Sequence, residues 1–79
     1  MIATAIEELD TVALTEDVPT HGLKAGDLGA VVAVHPPNAF EVEFVTASGH
    51  TQALLTLSKG KIRTIGAEDI LSVRRLTEL

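Results

Sequence analysis

The most regular stretch of the chain is Phe40-Glu41-Val42-Glu43-Phe44, where apolar and acidic residues alternate without exception. Only an extended strand turns a period of two into one apolar and one polar face. Phe40, Val42 and Phe44 are therefore expected in the core, and Glu41 and Glu43 on the water side. The strand is expected to run on through Thr46 and to turn at Ala47-Ser48-Gly49-His50, with glycine where a hairpin wants positive φ. Thr51 to Leu57 then returns antiparallel to it. Upstream, the valine-rich run Leu28 to His35 predicts a strand that ends at Pro36-Pro37-Asn38, because proline cannot continue a central strand. Before it, Asp10 to Glu16 alternates with Val12 and Leu14 on one side and Thr11, Ala13 and Thr15 on the other. That is a half-buried first strand.

The connections carry the turn chemistry. Asp17-Val18-Pro19-Thr20-His21-Gly22 reads as a loop stiffened by Pro19, and Lys24-Ala25-Gly26-Asp27 as a turn. Gly22, Gly26 and Gly29 are spaced for a tight, kinked entry into the second strand. Ser58-Lys59-Gly60-Lys61 is another turn, and Ile62-Arg63-Thr64-Ile65 a short strand. Gly66-Ala67-Glu68-Asp69-Ile70 predicts a single helical or 3₁₀ turn seated by Ile70. Leu71 to Leu76 alternates once more and predicts a closing strand, with Val73 in the core beside Val12, Leu14, Val31 and Leu55. Ile2, Ile6 and Leu9 have helical spacing, but over too few turns for a stable helix. The expected organisation is an arm at 1–9, one domain at 10–76 and a tail at 77–79. The class is all-β, a small antiparallel barrel of five or six strands with one short 3₁₀ turn.

Composition narrows the core. Phe40 and Phe44 are the only aromatic residues among 79, so Val, Leu, Ile and Ala must fill the interior. A domain of this size is marginal alone. The absence of cysteine excludes a disulfide framework and a thiolate metal site. No apolar run approaches the roughly twenty residues that span a bilayer. The start of the chain lacks the basic residues of a signal peptide, so a cytoplasmic protein is expected.

Charge narrows the partners. The formal net charge is −5, which opposes nucleic acid and attracts cationic protein. The basic residues that could form a local patch are Lys59, Lys61 and Arg63, then Arg74 and Arg75. Candidate chemistry is sparse. His21, His35 and His50 lie in three separate connections or strand ends and match no metal-ligand spacing, so no metal or other cofactor is expected. Glu41 and Glu43, about 7 Å apart along one strand, suit a solvated face better than acid–base work. Asp17 and Asp27 suit hydrogen bonds to turn backbone. Ser48, Ser58 and Ser72 have no nucleophile-elbow context. No enzymatic activity is expected.

The segments Leu9-Asp10-Thr11-Val12-Ala13-Leu14, Asp17-Val18-Pro19 and Gly22 to Val32 resemble a bacterial family of domains of unknown function, DUF4926. So do Phe40 to Phe44 and Ala53-Leu54-Leu55-Thr56-Leu57. The resemblance implies an SH3-like barrel, similar in shape to the small barrel of nitrile hydratase β subunits, and implies no activity. It also implies a small partner of a neighbouring, sometimes toxin-like, gene product. Ser58 to Ile65 departs from the pattern and looks like an insertion.

The function expected on these grounds is a non-catalytic protein-binding or scaffold module, of antitoxin or immunity type, for a cationic bacterial protein. One alternative is a subunit-like or chaperone-like accessory of an enzyme, by analogy with nitrile hydratase. Another is an RNA-binding barrel of ribosomal type, in which the glycine-containing turn after the first strand meets RNA. The expected partner surface is acidic, made from Glu16, Asp17, His21, Glu41 and Glu43, because inter-strand loops carry binding. Two copies can also pair through a strand edge.

The charge yields a first prediction. In a filter-binding or anisotropy assay at physiological salt, duplex DNA and single-stranded RNA should show no measurable complex. A micromolar complex with a steep salt dependence would contradict this and point to Lys59, Lys61 and Arg63.

Overall fold

Residues 5–76 are described in the computed structural model. They form one antiparallel sheet of five strands: β1 (Thr11–Leu14), β2 (Leu28–His35), β3 (Ala39–Val45), β4 (Thr51–Ser58) and β5 (Ile62–Thr64). The order across the sheet is β4-β3-β2-β1-β5. The chain thus meanders from β1 to β4, and β5 then returns to the far side of β1.

The sheet curls around one core. Val12 and Leu14 of β1, Val31 of β2, Phe40, Val42 and Phe44 of β3, Ala53 of β4 and Ile62 of β5 form one buried cluster, joined by Leu23 from the β1–β2 connection. Residues paired directly across an antiparallel ladder share a face. The pairs Val42 with Val31 and with Leu55, and Phe44 with Ala53, therefore define the inner side. Glu41, opposite Ala33 and Thr56, and Glu43, opposite Ala30 and Leu54, define the outer side. A bulge at Val32 inserts one residue between Val31 and Ala33. It lets a run with no strict alternation keep Val31 and Val34 on the inner side and Ala33 and His35 on the outer. Among the described residues no ladder joins β4 to β5, so the sheet is not closed by hydrogen bonds.

Gly29 serves packing rather than a turn. It lies in β2 opposite Val12, on the inner face. A Cβ placed there would lie 2.6 Å from Val42 Cγ1 and 2.8 Å from Phe44 Cε2. Only hydrogen leaves room for β3 to close down on β2 at this point. Gly22 and Gly26 are the turn glycines, with φ of 70° and 92°.

Several expectations need correction. Leu71 to Leu76 forms no strand, and Val73 is 97% exposed instead of buried. The reason is topological: β1 pairs with β2 on one side and β5 on the other, so it offers no edge to a later strand. Ile62 to Thr64 has taken that place: Ser58 ends β4, Lys59–Lys61 is a 3₁₀ turn, and Ile62–Thr64 is the fifth strand among the described residues. Among the described residues there are two 3₁₀ turns, at Pro19–His21 and Lys59–Lys61. The segment Gly66 to Ile70 is a plain turn, held by the Gly66 N–H donating to Asp69 Oδ2 at 2.6 Å, and Ile70 is 91% exposed. Ala13, expected outward, is buried, because its methyl lies in register between the longer Leu28 and Arg63. Leu55 is half-buried. Of the arm, residues 5–9 contain a turn and no helix, as spacing over so few turns implies, and Ile6 packs on the core. Residues 1–4 and the tail at 77–79 lie outside the described residues.

The close approach at Gly29 sets a stability test. Gly29→Ala should cost about 1–3 kcal/mol in urea unfolding, because the methyl must displace Val42 and Phe44. Gly60→Ala, with open space around the new methyl, should change stability by less than about 0.5 kcal/mol. Phe44→Ala should cost about 3–5 kcal/mol. Equal tolerance of alanine at 29 and 60 would refute the packing role of Gly29.

Candidate functional site

The long β1–β2 connection is folded on itself. Val18 and Leu23 exchange two backbone hydrogen bonds, at 2.8 and 3.1 Å. Between them the 3₁₀ turn at Pro19–His21 ends on Gly22 in the left-handed conformation. Pro19 opens the turn where no N–H is needed, and Leu23, buried in the core, anchors its return. The second turn, Lys24 to Asp27, is closed by the Lys24 N–H donating to Asp27 Oδ2 at 2.8 Å. The Ala25 N–H donates to Asp17 Oδ1 at 2.8 Å and ties the two turns together. Asp17 and Asp27 thus both serve turn backbone.

Asp27 also holds the C-terminal segment. Arg74 donates from Nε to Asp27 Oδ1 at 2.8 Å and from Nη2 to Asp27 Oδ2 at 2.6 Å. The same Nη2 reaches the Gly22 carbonyl at 2.8 Å. This fork-on-fork geometry is the strong form of the carboxylate–guanidinium pair. Partial burial pushes the Asp27 carboxyl up, but hydrogen bonds from Arg74 and the Lys24 N–H, together with their charges, outweigh it and hold it below its ordinary 3.8.

Two clefts flank this pair. The larger, about 510 Å³, has Leu23, Leu28 and Phe44 among its apolar lining, with Thr46, Gln52 and Ser72 at its polar positions. The smaller, about 380 Å³, lies toward Asp17, Pro19 and Lys24. Their charged side chains are one acid–base pair already spent on each other, with Asp17, Lys24 and Arg75 around it. Among the described residues no three His, Asp or Glu side chains gather as a metal-holding group.

The five predicted partner-surface residues lie in different places. Glu16 takes a 2.6 Å ion pair from Lys61, beside the second 3₁₀ turn. Asp17 borders the smaller cleft. His21 bonds through its ring to Thr20 and through its carbonyl to the Gln52 side chain at 3.1 Å. Glu41 and Glu43 lie together on the outer face of β3. Glu41 is 3.6 Å from His35, and Glu43 accepts from Thr51 Oγ1 at 2.6 Å. No hydrogen bond or ion pair among the described residues links the loop residues to Glu41 and Glu43.

The outer face holds two residues that the alternation pattern did not single out: Leu54, 55% exposed, and Val45, 54% exposed. Leu54 stands directly opposite Glu43. The Asp27–Arg74 pair was also missed. Both residues were visible as a turn acid and a basic candidate, but nothing in a sequence separation of 47 ties one to the other.

The fold and these surfaces define a small all-β domain. A family model matches residues 8–64, and the chain belongs to the family described as Domain of unknown function (DUF4926). The match ends with β5, so the segment carrying Arg74 lies beyond it. No curated protein and no solved structure matches significantly.

The Asp27–Arg74 pair predicts a pH signature. A carboxyl held low in the folded state contributes stability that is present above its unfolded value near 3.8. That contribution is lost as pH falls through the lower folded value. Arg74→Ala should lower stability by about 1–2 kcal/mol at pH 7. The gap to the unmodified chain should close between about pH 5 and 2. Arg74→Lys should recover only part, since an ammonium cannot supply two parallel donors. A gap independent of pH would show that the cost is lost packing, not the ion pair.

Proposed function

We propose that this chain is a non-catalytic protein-binding module that takes an extended, cationic protein segment on the outer side of β3 and β4. The observation that carries this reading is the outer face itself. Glu41 and Glu43 stand side by side, flanked by the exposed Leu54 and Val45. Next to them runs the edge of β4, which among the described residues is paired only to β3. A free edge offers backbone donors and acceptors to an added strand, and alternating side-chain sites give that strand its selectivity. The net charge of −5 favours a cationic partner and speeds encounter. The strand order, with a 3₁₀ turn between β4 and a β5 that returns to β1, supports an SH3-like barrel as the scaffold.

Amide chemical shifts test the reading. A synthetic peptide of alternating valine and lysine should move the resonances of Val45, Leu54 and Thr56. A valine–glutamate peptide should not. The Glu41→Lys/Glu43→Lys chain should lose the response while staying folded. Shifts confined to the cleft beside Arg74, or none with the cationic peptide, would overturn the proposal.

A further inference from the structure

The larger of the two clefts, about 510 Å³, carries polar groups that the domain itself does not use. Its apolar lining from the β1–β2 connection, β2 and β3 is Leu23, Leu28 and Phe44. Some of its polar side chains are engaged. Asp27 and Arg74 meet through two parallel bonds, and Thr46 Oγ1 lies 2.9 Å from Ser48 Oγ. Three others differ. Gln52 donates through Nε2 to the His21 carbonyl, which leaves its Oε1 as an acceptor. The Ser72 and Arg75 side chains, on the C-terminal side of the cleft, take no hydrogen bond or ion pair among the described residues. Both residues are exposed.

The charge balance selects the ligand. Asp27 and Arg74 cancel, so Arg75 leaves this cleft positive in a chain that carries −5. A cation would meet Arg75 with no carboxylate to spare, because Asp27 is bonded twice to Arg74. Small-molecule sites run to about 300–1,000 Å³, are mostly apolar, and use a few polar groups to fix orientation. The cleft has that size and that make-up. We propose that it binds a small monocarboxylic acid with an apolar body. The carboxylate takes the donors of Arg75 and Ser72, guanidinium to carboxylate being the strong form of such a bond. The body lies on Leu23, Leu28 and Phe44. Gln52 Oε1 only accepts, so it keeps the carboxylate off the β4 side and fixes which way round the acid lies. None of Glu41, Glu43, Val45 and Leu54 lines the cleft. It is therefore a second site, independent of the outer face of β3 and β4.

An amide chemical-shift titration of the full chain with octanoate, at low salt and neutral pH, tests the site. Octanoate should move the resonances of Leu28, Phe44, Gln52 and Arg75. Octanol should bind about fivefold more weakly or worse, and octylammonium more weakly still. Arg75→Gln changes an exposed side chain and should leave the folded spectrum intact. It should weaken octanoate about fivefold or more, and Arg75→Lys should recover part of the loss. Arg75→Glu should reverse the preference, taking octylammonium over octanoate. No saturable shift up to about 10 mM octanoate would overturn the proposal. So would an octanoate affinity that Arg75→Gln leaves unchanged, or shifts confined to Val45 and Leu54. A peptide with a free, apolar C-terminal residue that moves the cleft resonances where octanoate does not would also overturn it, and would give the cleft to the end of a protein chain.

Discussion

The fold depends on how closely β3 approaches β2 at Gly29. With only two aromatic residues in the chain, the core cannot be filled by large rings from many directions. Instead Phe44 and Val42 lie directly on the backbone of a neighbouring strand, where a Cβ would leave them 2.6 to 2.9 Å of room. That approach lets a short sheet curl enough for inner-face residues of all five strands to meet in one cluster. The small β1 fits the same economy. Val12 and Leu14 go inward to that cluster, and Ala13, on the other side, is covered by its ladder neighbours on β2 and β5. A domain of this size has little stability to lose, so one glycine near the start of β2 decides whether β3 can close down on it.

Much of this was legible in the sequence, and for a physical reason. Where one face of a strand is buried and the other wet, period-two alternation records it directly. Phe40 to Phe44 lies as its pattern requires, and the Pro36-Pro37 break ends β2 where it should. Legibility failed where a local pattern depends on a distant edge. Leu71 to Leu76 alternates as well as β1 does, but a strand also needs an unpaired neighbour. Whether β1 still had one depended on where Ile62 to Thr64 had gone. Gly29 is ambiguous in the sequence for a related reason. The same residue type serves a turn, through positive φ, and a close approach, through its missing Cβ. Only the register of β2 against β3 tells the two apart.

The candidate surfaces divide along the same line. Turn acids were recognisable because their bonds are local: Asp27 to the Lys24 N–H is three residues away, and Asp17 to the Ala25 N–H is eight. The Asp27–Arg74 pair spans 47 residues, and composition alone cannot match one acid of eleven to one base of six. Likewise Glu41 and Glu43 could be assigned outward. That Leu54 stands beside Glu43 with more than half its surface exposed required the β3–β4 register and knowledge of which edge stays free.

The conflict between the C-terminal segment's pattern and its surroundings then becomes informative. Local sequence and global structure normally agree in a stable domain, and disagreement concentrates where something else is selected. Val73 and Ile70 are almost fully exposed, on a segment that a partly buried ion pair ties to the turn at Asp27. Ordering an unsupported apolar row costs conformational entropy and returns no burial within the domain. The Arg74 fork offsets part of that cost, because two parallel charge-assisted bonds to Asp27 and a third to the Gly22 carbonyl tie the segment to the turns of the β1–β2 connection.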